Sequence, residues 1–393
     1  MFEEFDTNLT DIEIVSEGLK YKVASVEVSN VTNSPKKGHL VIPQEVSVDG
    51  DSSSSNEDGK KVAIPVTRIA KLAFLDCMEL VSVQIPEGIT SIGEGAFLRC
   101  SSLESVEMPE SVNFISRAAF ADCERLVTIK LPEVMKEIEG EAFSRCKALT
   151  SIIIPDGVTH IQRGVFDCCE KLVSVELSAS LIQIGDWAFH HCISLSEISI
   201  PESVKVIGEW AFYDCSNLTS ILLPPQLEEI HEGAFCDCRL LESITIPSKV
   251  SFIKGIFGGC DNLKSLVVEE GNVRYDSREG CNAIIKTQSN TLIAGCAASF
   301  IPESVTSIGG SAFLGCTGLK TLTVPDAVKK IGYRAFWDCR GLEYLSIPEH
   351  LEGSFFNSQS CTLLGCVNLK TVVVRCQDGT QREEPNRYYH PTK

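Results

Sequence analysis

The sequence predicts a repeat solenoid on parallel β-strands, α/β by convention but mostly β, with about 12 coils of 23 residues and a cap at each end. Three observations predict it. Stepping 23 residues at a time from Cys77 lands on Cys100, Cys123, Cys146, Cys169, Cys192, Cys215 and Cys238 without an insertion. Each step carries an apolar triplet spaced L-x-x-I-x-I, such as Leu149, Ile152 and Ile154, usually followed by Pro, an apolar Ile, Ala-Phe and Cys-x-x-Leu. Twelve Cys-x-x-Leu pairs can be counted, from Cys77/Leu80 to Cys366/Leu369.

A fixed period of roughly 20 to 29 residues with leucines at set offsets is the mark of a leucine-rich-repeat solenoid with one strand per coil. One coil cannot bury both its strand face and its Phe, whereas stacked neighbours share one continuous core. The column from Phe74 and Phe97 to Phe313 and Phe336 is therefore expected as a buried ladder, and the small residue before most of these rings leaves room for close stacking. Pro after the strand, as at Pro86, Pro109 and Pro155, has no N–H and marks where ladder bonding stops.

These residues carry a resemblance. The phrase I-P-x-x-V-x-x-I-G-x-x-A-F-x-x-C-x-x-L is similar to the BspA-type (Treponema pallidum type) leucine-rich repeat, over roughly residues 40–374. The resemblance implies a right-handed solenoid with one parallel β-sheet. It also implies a surface protein, in a mainly bacterial family with relatives in some protists, used for adhesion or for binding host or neighbouring-cell molecules. No shared catalytic residues come with it.

Taken in order, residues 1–37 do not fit the repeat. Their alternating segment LKYKVASVEVSNV suits a strand pair laid over the first coil as an N-terminal cap. The solenoid then covers 38–376. A solvated, flexible loop is expected at 48–61, where DGDSSSSNEDGK interrupts the first coil and lacks the glycine and terminal glutamate of a calcium loop. At 264–300 the rhythm breaks into an expected hairpin insertion that turns near Asn290 and marks either a binding side or a spacer. The last coil has lost its Ile-Gly and Ala-Phe phrases, as a C-terminal cap does, and residues 377–393 read as a polar, mobile tail.

Composition narrows the function. With 53 acidic and 35 basic residues the formal charge is −18, which opposes nucleic acid and anionic membranes as partners. No stretch approaches the roughly 20 apolar residues of a spanning helix, so no membrane insertion is expected. The opening MFEEFDTNLT shows no signal peptide; the resemblance favours an extracellular or cell-surface location, with a cytoplasmic one as the alternative. Twelve of the 18 cysteines share one column with parallel Cβ directions, where reduced thiols serve as small apolar groups. The other six are Cys168, Cys236, Cys281, Cys296, Cys361 and Cys376, and none has ligand-spaced partners in sequence, so no metal is expected.

Two surfaces are candidates for recognition. Trp187 and Trp210 occupy one repeat position in adjacent coils, His190 and Tyr213 another, and His191 lies beside them; the five form a ligand-binding patch or pack over the Phe ladder. On the strands an outward column that includes Ser151, Ser174, Glu197, Ser220, Ser243 and Tyr344 presents mainly hydroxyls, either to a ligand or simply to its cross-strand neighbours. No nucleophile elbow, phosphate loop or HExxH motif is present, and no cofactor or catalytic residue is expected. The reading is a monomeric, non-enzymatic binding or adhesion protein with a protein or glycan ligand; an intracellular interaction scaffold is the alternative.

Overall fold

The structure, a computed structural model, describes residues 13–16, 19–22, 27–30, 37–49, 61–356 and 359–386. The chain divides into two compact units, Met1–Val158 and Thr159–Lys393. Each is a stack of coils on short parallel strands, and the one α-helix among the described residues is the four-residue Glu352–Phe355.

In the first unit Ser82 faces Ser105, Ser105 faces Thr128 and Thr128 faces Ser151. Every offset is one repeat, so the sequence period and the sheet register coincide. A second parallel ladder runs through Arg68–Ile69, Ser91–Ile92, Phe114–Ile115 and Glu137–Ile138. It uses the apolar-Ile step before Ala-Phe, which gives each of these coils two short strands.

The N-terminal segment departs from the expected pair. Glu13–Ser16, Leu19–Lys22 and Glu27–Asn30 form a three-stranded antiparallel meander, and Glu27–Asn30 runs on parallel to Arg68–Ile69. Glu27–Asn30 thereby covers the first edge of the second ladder. Lys37–Val41 opens the first ladder beside Glu79–Gln84. The loop expected at 48–61 joins the antiparallel strands Glu45–Asp49 and Lys61–Pro65, and its residues 50–60 lie outside the described residues.

In the second unit the ladders continue through Ser243–Ile246 with Ser265–Val268, and through His160–Ile161, Gln183–Ile184, Val206–Ile207, Glu229–Ile230 and Phe252–Ile253. The insertion expected at 264–300 begins later than predicted, because Ser265–Val268 keeps ladder register. Its antiparallel strands are Tyr275–Asp276, Ala283–Lys286 and Thr291–Gly295, and the turn ends on Asn290 in the left-handed conformation. Thr291–Gly295 then pairs in parallel with Ser307–Ile308, so the hairpin fills the place of a coil in the second ladder.

The mobile tail expected at 377–393 is corrected over its first half. Gln381–Pro385 pairs antiparallel with Thr371–Arg375, and Arg382 reaches Glu349 and Glu384 at 3.2 and 3.1 Å and also contacts Glu352. Asn386 is buried and donates through Nδ2 to the Leu369 carbonyl at 2.9 Å. Polar composition misled because these side chains pair with one another while the backbone covers the last strand edge. Residues 387–393 lie outside the described residues.

The Phe ladder is the core of both units. Rings stack at 5.0 to 5.6 Å from Phe74 to Phe143, and at 5.4, 5.3, 5.5 and 6.0 Å from Phe166 to Phe257. Phe355, from the degenerate last coil, supplies the ring below Phe336 at 5.8 Å. The cysteine column does more than fill space. Thiols such as Cys100, Cys123, Cys215 and Cys238 donate to the carbonyl of the Phe one coil earlier, at 3.1 to 3.3 Å. Burial pushes the Cys123, Cys215 and Cys238 thiols well above their ordinary titration range, and these thiols are not in disulfides.

Candidate functional site on the turn edge

The Ala-Phe turn places one residue just before Ala and two just after Phe at the molecular edge. Its geometry is costly. The position before Ala is left-handed in coil after coil, with φ of 60° at Trp187, 55° at Trp210 and 56° at Arg334. Bulky side chains there cost of order 1 to 3 kcal/mol each, and bonds between the turns of adjacent coils, such as Trp187 N–H to the Glu209 carbonyl at 2.8 Å, hold them in place.

The five patch residues predicted from sequence come together, all half-buried. His190 lies 4.4 Å from the Trp187 ring and stacks on Tyr213 at 5.1 Å, while Trp210 meets Tyr213 edge-on at 5.1 Å. His191 stands edge-on to Tyr213 at 5.3 Å, and the Arg163 guanidinium sits 5.8 Å from the Trp187 ring. Each imidazole is oriented by a carboxylate one coil away: His190 Nδ1 lies 2.7 Å from Asp167 and His191 Nδ1 2.8 Å from Asp214. The rings pack on one another and still keep solvent-facing surface.

One polar cluster was not anticipated. Cys168 Sγ donates to Asp167 Oδ1 at 3.3 Å, beside the His190 contact, and the three ligand atoms lie within 4.8 Å of one another. A carboxylate, thiolate and imidazole form a donor set that suits zinc with water as fourth ligand. The sequence reading assigned no metal here because Cys168 and His190 belong to different coils.

Beyond Tyr213 the edge opens into a cavity of about 480 Å³. Its origin is compositional. The three coils that follow place Gly233 and Cys236, then Gly255, Gly258 and Gly259, then Ser311, Leu314 and Gly315 at the positions held by Trp210, Tyr213 and Asp214. A Cβ on Gly233 would come within 2.6 Å of the Trp210 ring, so the indole lies across that glycine. The next coil restores bulk with Arg334, Trp337 and Asp338, which close the far wall. The guanidinium of Arg334 lies 3.4 Å from the centre of the Trp337 ring and 4.8 Å from that of Tyr333. Arg334 and Trp337 went unnoticed in the sequence, although they occupy the repeat positions of Trp210 and Tyr213.

Two groups in the wall have shifted acidity. Burial first, then Asp237 as neighbour and hydrogen-bond acceptor, pushes the Tyr213 phenol up to about 12. Burial likewise raises the Asp237 carboxyl, although the Tyr213 hydroxyl opposes the rise.

The sheet-face column is a separate surface. Ser151 lies in the first unit; Ser174, Glu197, Ser220, Ser243 and Tyr344 lie in the second, and all six are exposed. Ser220 bridges Ser243, and Thr321 pairs with Tyr344. Its hydroxyls sit at ladder spacing on exposed strand positions.

Comparison with protein families matches six copies of the BspA type leucine rich repeat region over residues 55–173, 159–283 and 295–379. The chain belongs to the BspA-type leucine-rich repeat family. Two solved structures share the fold of this BspA-type chain. A leucine-rich repeat protein from Bacteroides ovatus is 24% identical with a TM-score of 0.56, covering 95% of this chain and 100% of its own. A leucine rich cell surface protein from Faecalibacterium prausnitzii is 24% identical with a TM-score of 0.59, covering 94% of this chain and 96% of its own. Comparison with curated proteins returns no match. Leucine-rich-repeat solenoids are in general binding scaffolds rather than enzymes. Among the described residues no helix is long and apolar enough to cross a membrane.

Proposed function

We propose that this BspA-type protein is a non-enzymatic recognition protein, displayed on or secreted from a cell, that holds a host or neighbouring-cell protein or glycan on the turn edge of its second unit. The observation that carries the reading is the continuity of the aromatic patch around Trp187, His190, His191, Trp210 and Tyr213 with the cavity beyond it. Half-exposed aromatic rings give large contact area at low entropic cost, and a concavity beside them supplies shape. The F. prausnitzii relative, described as a cell surface protein, supports the location. A net charge of −18 favours neutral or cationic macromolecules over nucleic acid, and the chain acts as a monomer in this reading. The sheet-face column ranks second, because Tyr344 is the one aromatic ring among its six residues.

The alternative, an intracellular scaffold, is favoured by one observation: buried thiols of the cysteine column, such as Cys100, Cys146 and Cys215, are not in disulfides, as suits a reducing compartment. Binding of the purified chain to immobilised extracellular-matrix proteins and glycans, compared with a Trp187→Ala/Trp210→Ala variant of unchanged fold, tests the proposal. Saturable binding lost in the variant supports it. No binding by a folded wild-type chain overturns it in favour of the scaffold.

A further inference from the structure

We infer that the cavity between Trp210 and Trp337 is a binding site for an acidic monosaccharide unit, a pyranose bearing one carboxylate, with Arg334 as the carboxylate anchor. This rests on the recognition reading above and names the ligand class of one part of that edge.

Arg334 carries the argument. Its guanidinium is stacked on Trp337 and lies near Tyr333, and its Nε is buried without a hydrogen-bond partner. Leaving a buried donor unmet costs about 1 to 3 kcal/mol, more for a charged group. The carboxylates of the same wall are already engaged. Asp338 is held by Arg340 through two bonds of 2.9 and 3.0 Å. Asp237 accepts from the Tyr213 hydroxyl and lies 3.9 Å from Arg239, and Asp261 accepts from Thr317. Among the described residues none makes an ion pair with Arg334. With its face covered and its Nε buried, the guanidinium offers its terminal N–H groups to the cavity it lines, and the planar acceptor that fits them is a carboxylate.

The remaining walls select the body that carries the carboxylate. Trp210 and Trp337 both line a space of about 480 Å³, a size that suits a small ring rather than a folded partner, and add apolar ring surface to its wall. Asp237, Asp261 and Asp338 keep unused lone pairs that accept hydroxyl protons. A pyranose brings both an apolar ring face and several hydroxyl donors, whereas a peptide C-terminus brings the carboxylate without the hydroxyls. Three aspartates and three arginines line the cavity, so it is locally neutral in a chain of charge −18. One carboxylate is tolerated there, and a dense polyanion is repelled.

The test is calorimetric titration of the full chain with N-acetylneuraminic acid and with glucuronic acid, against glucose and an acetylated dipeptide with a free C-terminus. The expected result is saturable binding of at least one acidic sugar, at least tenfold tighter than glucose or the dipeptide and weakened at least tenfold in Arg334→Gln. Arg334→Lys keeps the charge and loses the planar fork, so it gives an intermediate loss and serves where Arg334→Gln fails to fold. Equal affinity for glucose, preference for the dipeptide, unchanged binding in both folded variants, or no binding of any acidic sugar each overturns the inference. Trp187 lies outside the cavity, so macromolecular binding that is lost in Trp187→Ala while the sugars fail leaves the broader recognition reading standing.

Discussion

Phe212→Ala is the substitution that most directly tests the core. Phe212 is fully buried and stacked between Phe189 at 5.3 Å and Phe235 at 5.5 Å. A buried Phe removes about 200 Å² from water, which at about 25 cal/mol per Å² is about 5 kcal/mol as an upper bound. The coils cannot close the gap, because Phe212 N–H is bonded to the Ala234 carbonyl at 2.8 Å and Phe189 N–H to the Ala211 carbonyl at 2.8 Å. The expected loss is therefore about 4 kcal/mol, within the range seen for Phe truncation in rigid cores. All three tryptophans, Trp187, Trp210 and Trp337, lie in the second unit, so urea unfolding followed by tryptophan fluorescence reports on this unit. With a slope of about 3 kcal/mol per M, the midpoint falls by more than about 1 M. Phe300 is 44% exposed and outside the ladder, and Phe300→Ala is the control, with a loss below about 1 kcal/mol. A Phe212→Ala shift no larger than that of Phe300→Ala would refute the ladder as the source of cohesion.

Three further outcomes are expected. Brief alkylation of the native chain, read by peptide mass spectrometry, modifies Cys168, Cys361 and Cys376 and spares the buried column and the buried off-column Cys236 until denaturant is added, since burial holds the Cys316 and Cys236 thiols up to about 12; early labelling of Cys215 would contradict the packing. Burial pushes the Asp276 carboxyl up, but bonds from Arg278 and Thr287 outweigh it and leave it below its ordinary 3.8, so its contribution is present above that value and lost as pH falls through the lowered one. Protection factors across residues 283–295, which correct for the slower intrinsic exchange in acid, therefore fall on going from about pH 5 to about pH 3, and Asp276→Asn removes that fall. Truncation after Gly379 removes the strand Gln381–Pro385 and the Asn386 bonds to the last coil, and lowers the urea midpoint of the second unit by several bonds at about 1 kcal/mol each; an unchanged midpoint would show that the segment does not cap.

The coil length, the Phe and Cys columns and the aromatic patch were legible because each is a matter of repeat position. A period of 23 residues forces Trp187 beside Trp210 and His190 beside Tyr213 whatever the details of the turn. Much of the cavity was written there too, as a run of glycines between bulky residues at matching positions, but glycine in a repeat reads first as a turn residue. What sequence could not give is pairing that breaks the period. The antiparallel partner of Thr371–Arg375, the third strand of the N-terminal meander and the Asp167–Cys168–His190 cluster all depend on which backbone edge or side chain is left open once the coils have stacked. The same holds for Arg334, whose unmet Nε exists only because Trp337 fixes the guanidinium and the neighbouring carboxylates already have partners. Repetition fixes the neighbours of a residue along the stack, so the sequence by itself determined the solenoid and its columns; the hydrogen-bonding capacity left over at its edges is a property of the assembled surface, and only the tertiary structure decided it.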